Sequence, residues 1–448
     1  MSRQTYPSYK PSGMDWVGDI PKHWEIHRLK HVASVQFSSV DKHTIEGEEP
    51  VRLCNYVDVY YNDFIKEGLE FMSATATRSE IARFQLCHGD VLVTKDSESW
   101  DDIAVPAYVA EKFDGVVCGY HLAHIRPDLR KLIGEYLFRA FRSCGINDQF
   151  RVAANGITRF GLGKYWLDNG LFPVPPLEEQ RTIAAFLDRE TARIDELIEK
   201  KKKQIGLLKE KCIALIGKVV TKGLHPKAKM KESGVEWLGS IPEHWIVKRL
   251  RYLGYCQNGI NIGSEYFGTG HPFVSYGDVF NNRELPHDVD GLVRSSAADR
   301  DRYSVKTGDV FFTRTSETIE EIGFSSVCFK SIHDAVFAGF LIRFRGYGHY
   351  LNVAFSKYYF QNIYLRAFFV KEMNLVTRAS LSQDLLKQMP VLVPPLEEQA
   401  EIASFLDGET GRIDSLIKKI EKSIGLLREH RIALVSAAVT GKIDVRST

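Results

Sequence analysis

The chain lacks the motifs of the common catalytic and nucleotide-binding sites. Its 448 residues contain no GxxxxGK[ST] phosphate loop, no GxGxxG after a strand, no HExxH and no GxSxG elbow. The Asn-Pro-Pro-aromatic and Asp-Pro-Pro-Tyr motifs of amino methylation are also missing, and Val-Pro-Pro-Leu does not match them. A catalytic nuclease or methyltransferase therefore stays open only as a protein with a degenerate motif.

Paired cysteines, long apolar runs and a large net charge are also lacking. The seven cysteines form no CxxC pair and are odd in number, which favours reduced thiols in a cytosol over a disulfide framework. Residues 1–13 contain no apolar h-region, and no run approaches about 18 apolar residues, so we expect neither a signal peptide nor a membrane span. Lys and Arg number 59 and Asp and Glu 57. This balance leaves nucleic acid open, because a local basic face fits within a neutral total.

One histidine pair has the spacing of metal ligands. His121 and His124 are separated by two residues, but no cluster of further ligands lies near them in the sequence. Two polar histidines on a strand explain the pair better, so we predict no metal site.

The strongest positive signal is a duplication. Residues 174–221 return at 393–440 with an offset of 219, without a gap, and 31 of the 48 positions are identical. A period this long is typical of a duplicated domain, since solenoid repeats are far shorter. The chain is therefore predicted to contain two similar units in tandem.

A second similarity precedes each half. The segment SGMDWVGDIPKHWEIHRL at Ser12–Leu29 matches SGVEWLGSIPEHWIVKRL at Ser233–Leu250. Both are predicted to be extended segments that aromatic side chains anchor. Their tryptophans either stack on nucleic-acid bases or anchor the segment to its own domain. Anchoring is favoured because few basic residues lie nearby. The four are Trp16, Trp24, Trp237 and Trp245.

The middle of each half reads as mixed α/β. Short β-rich runs alternate with Gly, Asp and Asn turns, and a helical run follows. The expected strands are Val51–Tyr60, Val91–Thr94, Val116–Ile125, Phe273–Phe280, Val310–Thr313 and Phe337–Phe344; the expected helices are Leu132–Ser143 and Leu351–Phe369. Similarity between the halves is weak here, as expected if their loops recognise different targets.

The 48-residue repeat predicts two long helices. Apolar residues recur at four-three spacing over about four heptads, which is typical of a coiled-coil seam. Helices of roughly 40 residues would be about 60 Å long. The run Lys200–Lys203 is interpreted as a solvated helix face rather than a DNA contact. The seam residues are Ile194, Ile198, Ile205, Leu208, Leu215, Ile413, Ile417, Ile424, Leu427 and Leu434.

Each seam needs a partner, and the other copy is the obvious one. If a pseudo-twofold relates the halves, the helices run antiparallel and the C-terminus returns to the N-terminal domain. The alternative is that each helix packs on its own domain. The predicted fold is α+β, with two mixed α/β domains in tandem, each followed by a long helix, and the two helices paired as an antiparallel coiled coil with pseudo-twofold symmetry.

Paired polar loops are the candidate binding sites. On such loops, Arg or Lys can bind guanine edges in DNA, and Ser or Thr hydroxyls can bind its phosphates. Taken alone, each loop is best interpreted as an ordinary surface turn. Because the same residue types recur at matching places in both halves, a DNA contact is favoured. Lys112, Arg126 and Arg130, or Arg343 and Arg345, remain alternatives for the DNA backbone. The candidate residues are Thr94, Lys95, Ser97, Thr158, Arg159, Thr313, Arg314, Thr315, Ser316, Thr377 and Arg378.

Taken together, these motifs resemble the specificity subunit of type I restriction–modification enzymes. The resemblance covers the whole chain. It rests on Val-Pro-Pro-Leu-Glu-Glu-Gln at 174–180 and 393–399, on the SGxxWxGxIPxHW segments, and on the spacing of the two copies.

The resemblance implies a separate role for each part of the chain. Residues 1–175 and 222–394 would be target recognition domains that each read half of a bipartite site in double-stranded DNA. Residues 176–221 and 395–448 would hold the spacer helices that set the gap and dock two methylation subunits. Restriction subunits would complete the complex. S-adenosylmethionine, ATP and Mg would lie on those partners, leaving this chain non-catalytic, without a cofactor, and in a prokaryotic cytoplasm.

Two further functions stay open at this point. One is a stand-alone, sequence-specific DNA-binding protein without methylase partners. The other is a coiled-coil adaptor whose domains bind protein. Co-purification with a methylation subunit separates the first from the resemblance, and gel shifts on random duplex test the second.

Overall fold

The computed structural model describes residues 4–316, 322–372 and 379–446. The chain forms two compact units, unit 1 from residues 1–201 and 421–448 and unit 2 from residues 202–420. Each long helix contributes residues to both units, and the bounds of the four consecutive segments expected from the sequence stay a prediction.

The first domain, in unit 1, is a mixed α/β domain built on two sheets. Its strands pair mainly antiparallel. The five-stranded sheet has the order Ala33–Phe37, Leu122–Pro127, Val91–Thr94, Pro106–Val109, Phe64–Ile65, and the three-stranded sheet the order Val116–Cys118, Glu49–Cys54, Met72–Ala76. Two-stranded pairs join Tyr9–Pro11 to Asp19–Pro21, Glu25–Arg28 to Leu171–Val174, and Asp96–Ser97 to Phe160–Gly161. The helices are Leu29–His31, Tyr56–Tyr60, Arg78–Phe84, Trp100–Asp102, Gly134–Phe141, Cys144–Ala153 and Lys164–Asn169.

The second domain, in unit 2, repeats this plan with smaller sheets. The four-stranded sheet has the order Gly254–Asn258, Leu341–Gly346, Val310–Thr313, Ser325–Val327, and the three-stranded sheet the order Leu292–Val293, Phe267–Val274, Val336–Phe337. Two-stranded pairs join Met230–Glu232 to Ser240–Pro242, Ile246–Arg249 to Pro390–Val393, and Thr315–Ser316 to Ala379–Ser380. The helices are Leu250–Tyr252, Ser264–Tyr266, Tyr276–Phe280, Ala297–Arg302, Val353–Tyr359, Ile363–Glu372 and Gln383–Gln388.

Two of the expected strands, Val51–Tyr60 and Phe273–Phe280, are wrong in their second halves. Tyr56–Tyr60 and Tyr276–Phe280 are short helices, not strand continuations. The reason is a capping box, in which the Asp58 carboxylate accepts from the Asn55 N–H and the Asp278 carboxylate from the Ser275 N–H, each at 2.7 Å. The Tyr-x-Asp signature shared by the halves is therefore a helix start.

The shared Gly-Asp-Val turn holds a buried aspartate in each domain. Asp90 accepts from the Cys87 N–H at 2.8 Å and from Arg126 at 2.9 Å. Asp309 is bound in the same way by the Lys306 N–H at 2.7 Å and by Arg345 at 2.6 Å. The spacing that the two halves share thus fixes a turn at the start of a fully buried strand.

The Pro-Pro-Leu-Glu-Glu-Gln motif forms the joint between a domain and its helix. Trp24 and Trp245 are fully buried, and each indole N–H donates at 3.0 Å to a carboxylate of this motif, Glu179 and Glu398 respectively. Gln180 accepts from the Ile133 N–H at 3.0 Å and donates to the Pro175 carbonyl at 2.8 Å. The interpretation that these two tryptophans anchor their segment to its own domain is confirmed.

The two long helices are Leu177–Lys222, with 46 residues, and Leu396–Val439, with 44. We call them the central and C-terminal helices. All ten predicted seam residues are buried or half-buried, whereas neighbouring leucines such as Leu207 and Leu426 are each 56% exposed. Within the described residues, no helix is both long enough and apolar enough to cross a membrane.

The end of the C-terminal helix packs within unit 1. The Tyr136 hydroxyl donates to the Val439 carbonyl at 3.1 Å, and the Lys442 ammonium donates to the Asp19 carbonyl at 2.7 Å. The expected return of the chain to its N-terminal domain is therefore present.

Candidate nucleic-acid interface

In each unit, two polar loops that are far apart in the sequence meet at a short strand pair. Asp96–Ser97 pairs antiparallel with Phe160–Gly161, and Thr315–Ser316 pairs with Ala379–Ser380. The offset between the two pairs is 219 residues, the same as in the repeated helices. Each unit thus brings its candidate loops together into one surface.

Lys95 is held at the centre of the unit 1 surface. Its backbone N–H donates to the His121 carbonyl at 3.2 Å, and its carbonyl accepts from the Leu162 N–H at 2.7 Å. Its ammonium lies 4.2 Å from the centroid of the Tyr120 ring and 4.9 Å from that of Phe37, as in cation–π pairs. Partial burial lowers the pKa of Lys95. The ammonium is therefore positioned by two rings rather than free on a long stem.

Arg159 and His121 share one carboxylate beside this lysine. The Arg159 guanidinium lies 2.7 Å and the His121 Nδ1 2.8 Å from the Asp96 Oδ1. Arg159 remains 58% exposed, and Thr158 beside it is also exposed. The surface presents a cluster of donors around a single acceptor.

Unit 2 builds the same backbone frame with other side chains. Arg314 replaces Lys95: its N–H donates to the Phe340 carbonyl at 2.9 Å, and its carbonyl accepts from the Leu381 N–H at 2.7 Å. The offset of 219 puts Phe340, which is 64% exposed, where unit 1 has His121, and Thr315 where it has Asp96. The frame is shared, but the presented chemistry differs.

Three candidate hydroxyls point inward. Thr94 is fully buried; its hydroxyl donates to the Asp102 carbonyl at 2.9 Å and accepts from the Val105 N–H at 3.0 Å. Thr313 is also fully buried and accepts from the Phe324 N–H at 2.9 Å, and Ser97 is only 7% exposed. In this conformation these groups brace the loops and are not accessible to a ligand.

Thr377 and Arg378 lie outside the described residues, and for Ser316 only the backbone is described. Thr315 is half-buried on the strand pair.

Most of the alternative arginines have structural roles. Arg126 and Arg345 bind the buried aspartates of the Gly-Asp-Val turns. Arg343 is 1% exposed and donates to Gln257 and to the Ser304 carbonyl. Lys112 and Arg130 are exposed, and Arg130 pairs with Asp128 at 2.9 Å. Lys112 and Arg130 are accessible for a backbone contact, and so is Arg126, whose side chain is 44% exposed although it binds Asp90.

The histidine pair binds carboxylates. His124 is buried, 2.7 Å from Asp90, and His121 contacts Asp96. Among the described residues, no group of three or more His, Cys, Asp or Glu side chains is placed to hold a metal ion.

Sequence reasoning missed the aromatic partners of the loops. Tyr120 is 49% exposed beside Lys95, and Phe340 takes the equivalent place of its neighbour His121 in unit 2. Applying the offset of 219 beyond the long repeat would have paired His121 with Phe340 and identified this position as one that differs between the halves.

Comparison with known proteins agrees with this duplicated plan. The family described as type I restriction modification DNA specificity domain matches residues 21–207 and again residues 242–425. The chain is 25% identical over 451 residues to the putative type I restriction enzyme MjaX specificity subunit of Methanocaldococcus jannaschii, covering 96% of each. It is also 25% identical over 286 residues to the EcoKI specificity subunit of Escherichia coli strain K12, covering 61% of this chain but only 58% of that protein.

Solved structures share the fold. A chain from a study of complex assembly and conformational transition of the type I R-M system matches with a TM-score of 0.70 at 19% identity, covering 94% of this chain and 98% of that one. The HsdS subunit of Thermoanaerobacter tengcongensis matches with a TM-score of 0.56 at 20% identity, covering 95% and 98%. With both of its halves matched, the chain belongs to the family of type I restriction modification DNA specificity domains and carries two copies of that domain.

Proposed function

We propose that this chain is the sequence-recognition subunit of a type I restriction–modification complex, in which each unit reads one half of a bipartite site in duplex DNA. The observation that carries this proposal is the shared loop frame with different side chains. Lys95, Asp96 and His121 in unit 1 stand where unit 2 has Arg314, Thr315 and Phe340. One scaffold with two sets of contacts suits an asymmetric target.

The accessible side chains fit reading in the major groove. Arg159 and Arg314 offer bidentate donors for guanine, and Lys95 offers a point charge for guanine or phosphate. Thr158 and Thr315 supply hydroxyls for phosphate or base. The buried Thr94, Thr313 and Ser97 are left out of the proposed interface, and they act by holding the loops in place.

The long helices would pair as an antiparallel coiled coil that sets the gap between half-sites. Within unit 1, Arg431 of the C-terminal helix lies 3.1 Å from Asp195 of the central helix. Within unit 2, Leu208 and Leu215 of the central helix and Ile413 and Ile417 of the C-terminal helix belong to one apolar cluster. These contacts support the pairing in each unit taken by itself.

Two methylation subunits would dock on exposed apolar residues that recur along the same two helices. Leu197, Leu207 and Ile213 are 43%, 56% and 45% exposed, and their equivalents at an offset of 219 have similar values. Exposed apolar residues at repeated positions are typical of a surface that a partner covers. Those equivalents are Leu416, Leu426 and Ile432, at 41%, 56% and 48%.

The remaining activities would belong to partners. Methyl transfer with S-adenosylmethionine and cleavage with ATP and Mg are assigned to methylation and restriction subunits, and this chain is proposed to be non-catalytic. The relatives support this assignment, since they are named specificity subunits of type I restriction enzymes.

Mapping the methylated motif with two matched variants tests the proposal. Arg314→Ala is expected to relax recognition of one half-site, and Lys95→Ala to relax the other, because they occupy equivalent positions in different units. For Arg314→Ala, loss of a bidentate base contact should cost about 1–3 kcal/mol of discrimination. Equal loss at both half-sites from either variant would refute the assignment. A chain that binds its site without a methylation subunit would instead indicate a stand-alone DNA-binding protein.

A further inference from the structure

An exposed groove lined by aromatic rings lies in unit 1. Trp16, Tyr165 and Trp166 are 51%, 68% and 47% exposed, and they surround a cavity of about 370 Å³. Gln149 and Asn169 contribute amides to its wall. Three large rings left in contact with water around one concavity are unusual for a surface without a partner.

Unit 2 shows what fills the equivalent space. Trp237, which matches Trp16, packs on Phe368 of its own unit with ring centroids 6.4 Å apart. Phe368 is 7% exposed and stands 219 residues after Gln149. Unit 2 therefore covers its tryptophan with an internal phenyl ring.

The difference has a local cause in the backbone. Gln149 accepts from the Leu171 N–H at 2.8 Å and donates to the Leu171 carbonyl at 3.0 Å. The residue equivalent to Leu171 is Pro390, which has no N–H to satisfy. Position 368 therefore needs no amide and carries a phenyl ring, whereas position 149 keeps its amide turned to the backbone and leaves Trp16 uncovered.

The rim of the groove is basic. Arg28 and Lys30 are exposed, and both donate to the Oδ1 of Asn169, at 3.2 Å and 2.8 Å. Two cations that converge on a neutral amide would bind a carboxylate more strongly, through charge-assisted hydrogen bonds. The groove is thus complementary to an aromatic side chain with an acidic neighbour.

We propose that this groove binds a protein segment that inserts an aromatic side chain beside a carboxylate, in the way Phe368 covers Trp237. The identity of the partner, one of the two methylation subunits, rests on the function proposed above. Duplex DNA fits less well, since its bases are stacked and offer no free ring. Because Phe368 covers Trp237 in the described part of unit 2, unit 1 is proposed to provide this contact, and the two methylation subunits bind with unequal affinity.

Titration of the methylation subunit onto the full chain, followed by native mass spectrometry, tests this proposal. The double variant Tyr165→Ser/Trp166→Ser is expected to weaken one of the two binding steps at least tenfold and leave the other unchanged. Arg28→Glu/Lys30→Glu removes the charge complementarity without touching the rings and is expected to weaken the same step at least fivefold. Trp100→Ser is the matched control, since Trp100 is 55% exposed outside the groove. Thermal unfolding checks that each variant folds.

Three results would overturn the proposal. Unchanged affinity in both double variants would remove the groove from the interface. Normal subunit binding with weakened DNA binding would assign the groove to nucleic acid. A native chain that binds no methylation subunit would refute the proposed function itself, and this outcome is distinct because it appears before any substitution is made.

Discussion

Arg431 donates to the carboxylate of Asp63 at 3.0 Å, although 368 positions separate the two residues in the chain. The same guanidinium reaches Asp195 of the central helix at 3.1 Å, and Arg142 also pairs with Asp63. Burial, and to a lesser degree the charge of Arg431, lowers the pKa of Arg142 to about 10. The repeat puts Cys212 at the equivalent position, where it lies in the apolar cluster of unit 2. The two helix ends are alike in sequence but meet different surroundings.

Exchanging these residues is predicted to destabilise each unit separately. Arg431→Cys leaves Asp63 and Asp195 with less compensation and should lower the free energy of unfolding by about 1–3 kcal/mol, since the pair is only partly buried. Cys212→Arg puts a charge into an apolar cluster and should cost at least as much. The double exchange should show the sum, as measured by denaturant unfolding. Recovery of stability in the double variant would mean that the two positions face each other, contrary to the packing described.

The buried ion pair of Asp90 predicts a pH-dependent stability. Burial opposes ionisation of Asp90, but hydrogen bonds from Arg126 and His124 outweigh it, so its pKa lies below the ordinary value of 3.8. The folded state therefore holds the charge to lower pH than the unfolded chain, and its stabilisation is lost as pH falls below about 4. Asp90→Asn should cost about 2–4 kcal/mol at pH 7, and the difference from the native chain should shrink in acid. Unfolding curves from pH 3 to 7 measure it.

A matched control for this effect is Glu49→Gln, because Glu49 also pairs with an arginine, Arg78 at 3.1 Å, but is exposed. That variant should leave stability nearly unchanged across the same pH range. A gap between Asp90→Asn and the native chain that stays constant down to pH 3 would contradict the assignment of the pH dependence to Asp90.

Much of the scaffold was predictable because its signals are local or repeated. Four-three spacing gave both long helices, and the runs Val91–Thr94 and Val310–Thr313 are strands with the expected bounds. The orientation of Thr94 was not predictable: all four residues of its strand are buried, so alternation does not distinguish an inner from an outer face. The meeting of residues 96–97 with 160–161 is a long-range contact that no local pattern encodes. Of the site, sequence therefore gave the loops but not which side chains face outward.

Asp96 is predicted to weaken DNA binding by unit 1. Its carboxylate occupies Arg159 and His121 and would repel phosphates at the proposed interface. Asp96→Thr, which introduces the residue of unit 2, should raise affinity several-fold and make the dependence of log K on log salt steeper by about one unit. Gel shifts of the assembled complex at several salt concentrations measure both. Asp41→Thr, an exposed control, should change neither. Weaker binding would instead indicate that Asp96 accepts a hydrogen bond from a cytosine.

The helix lengths are predicted to set the gap between half-sites. Inserting one turn of four residues within 194–219, with a matching insertion at the equivalent positions of the C-terminal helix, lengthens each helix by about 6 Å. That is a little under two base pairs at roughly 3.4 Å each, so the methylated half-sites should move apart by one or two base pairs while their sequences stay the same. Insertion in one helix alone should disrupt the pairing and reduce methylation, because its seam residues would lose their partners. Mapping methylated sites in genomic DNA distinguishes these results. An unchanged gap in the matched double insertion would show that the separation of the readers is set elsewhere in the complex.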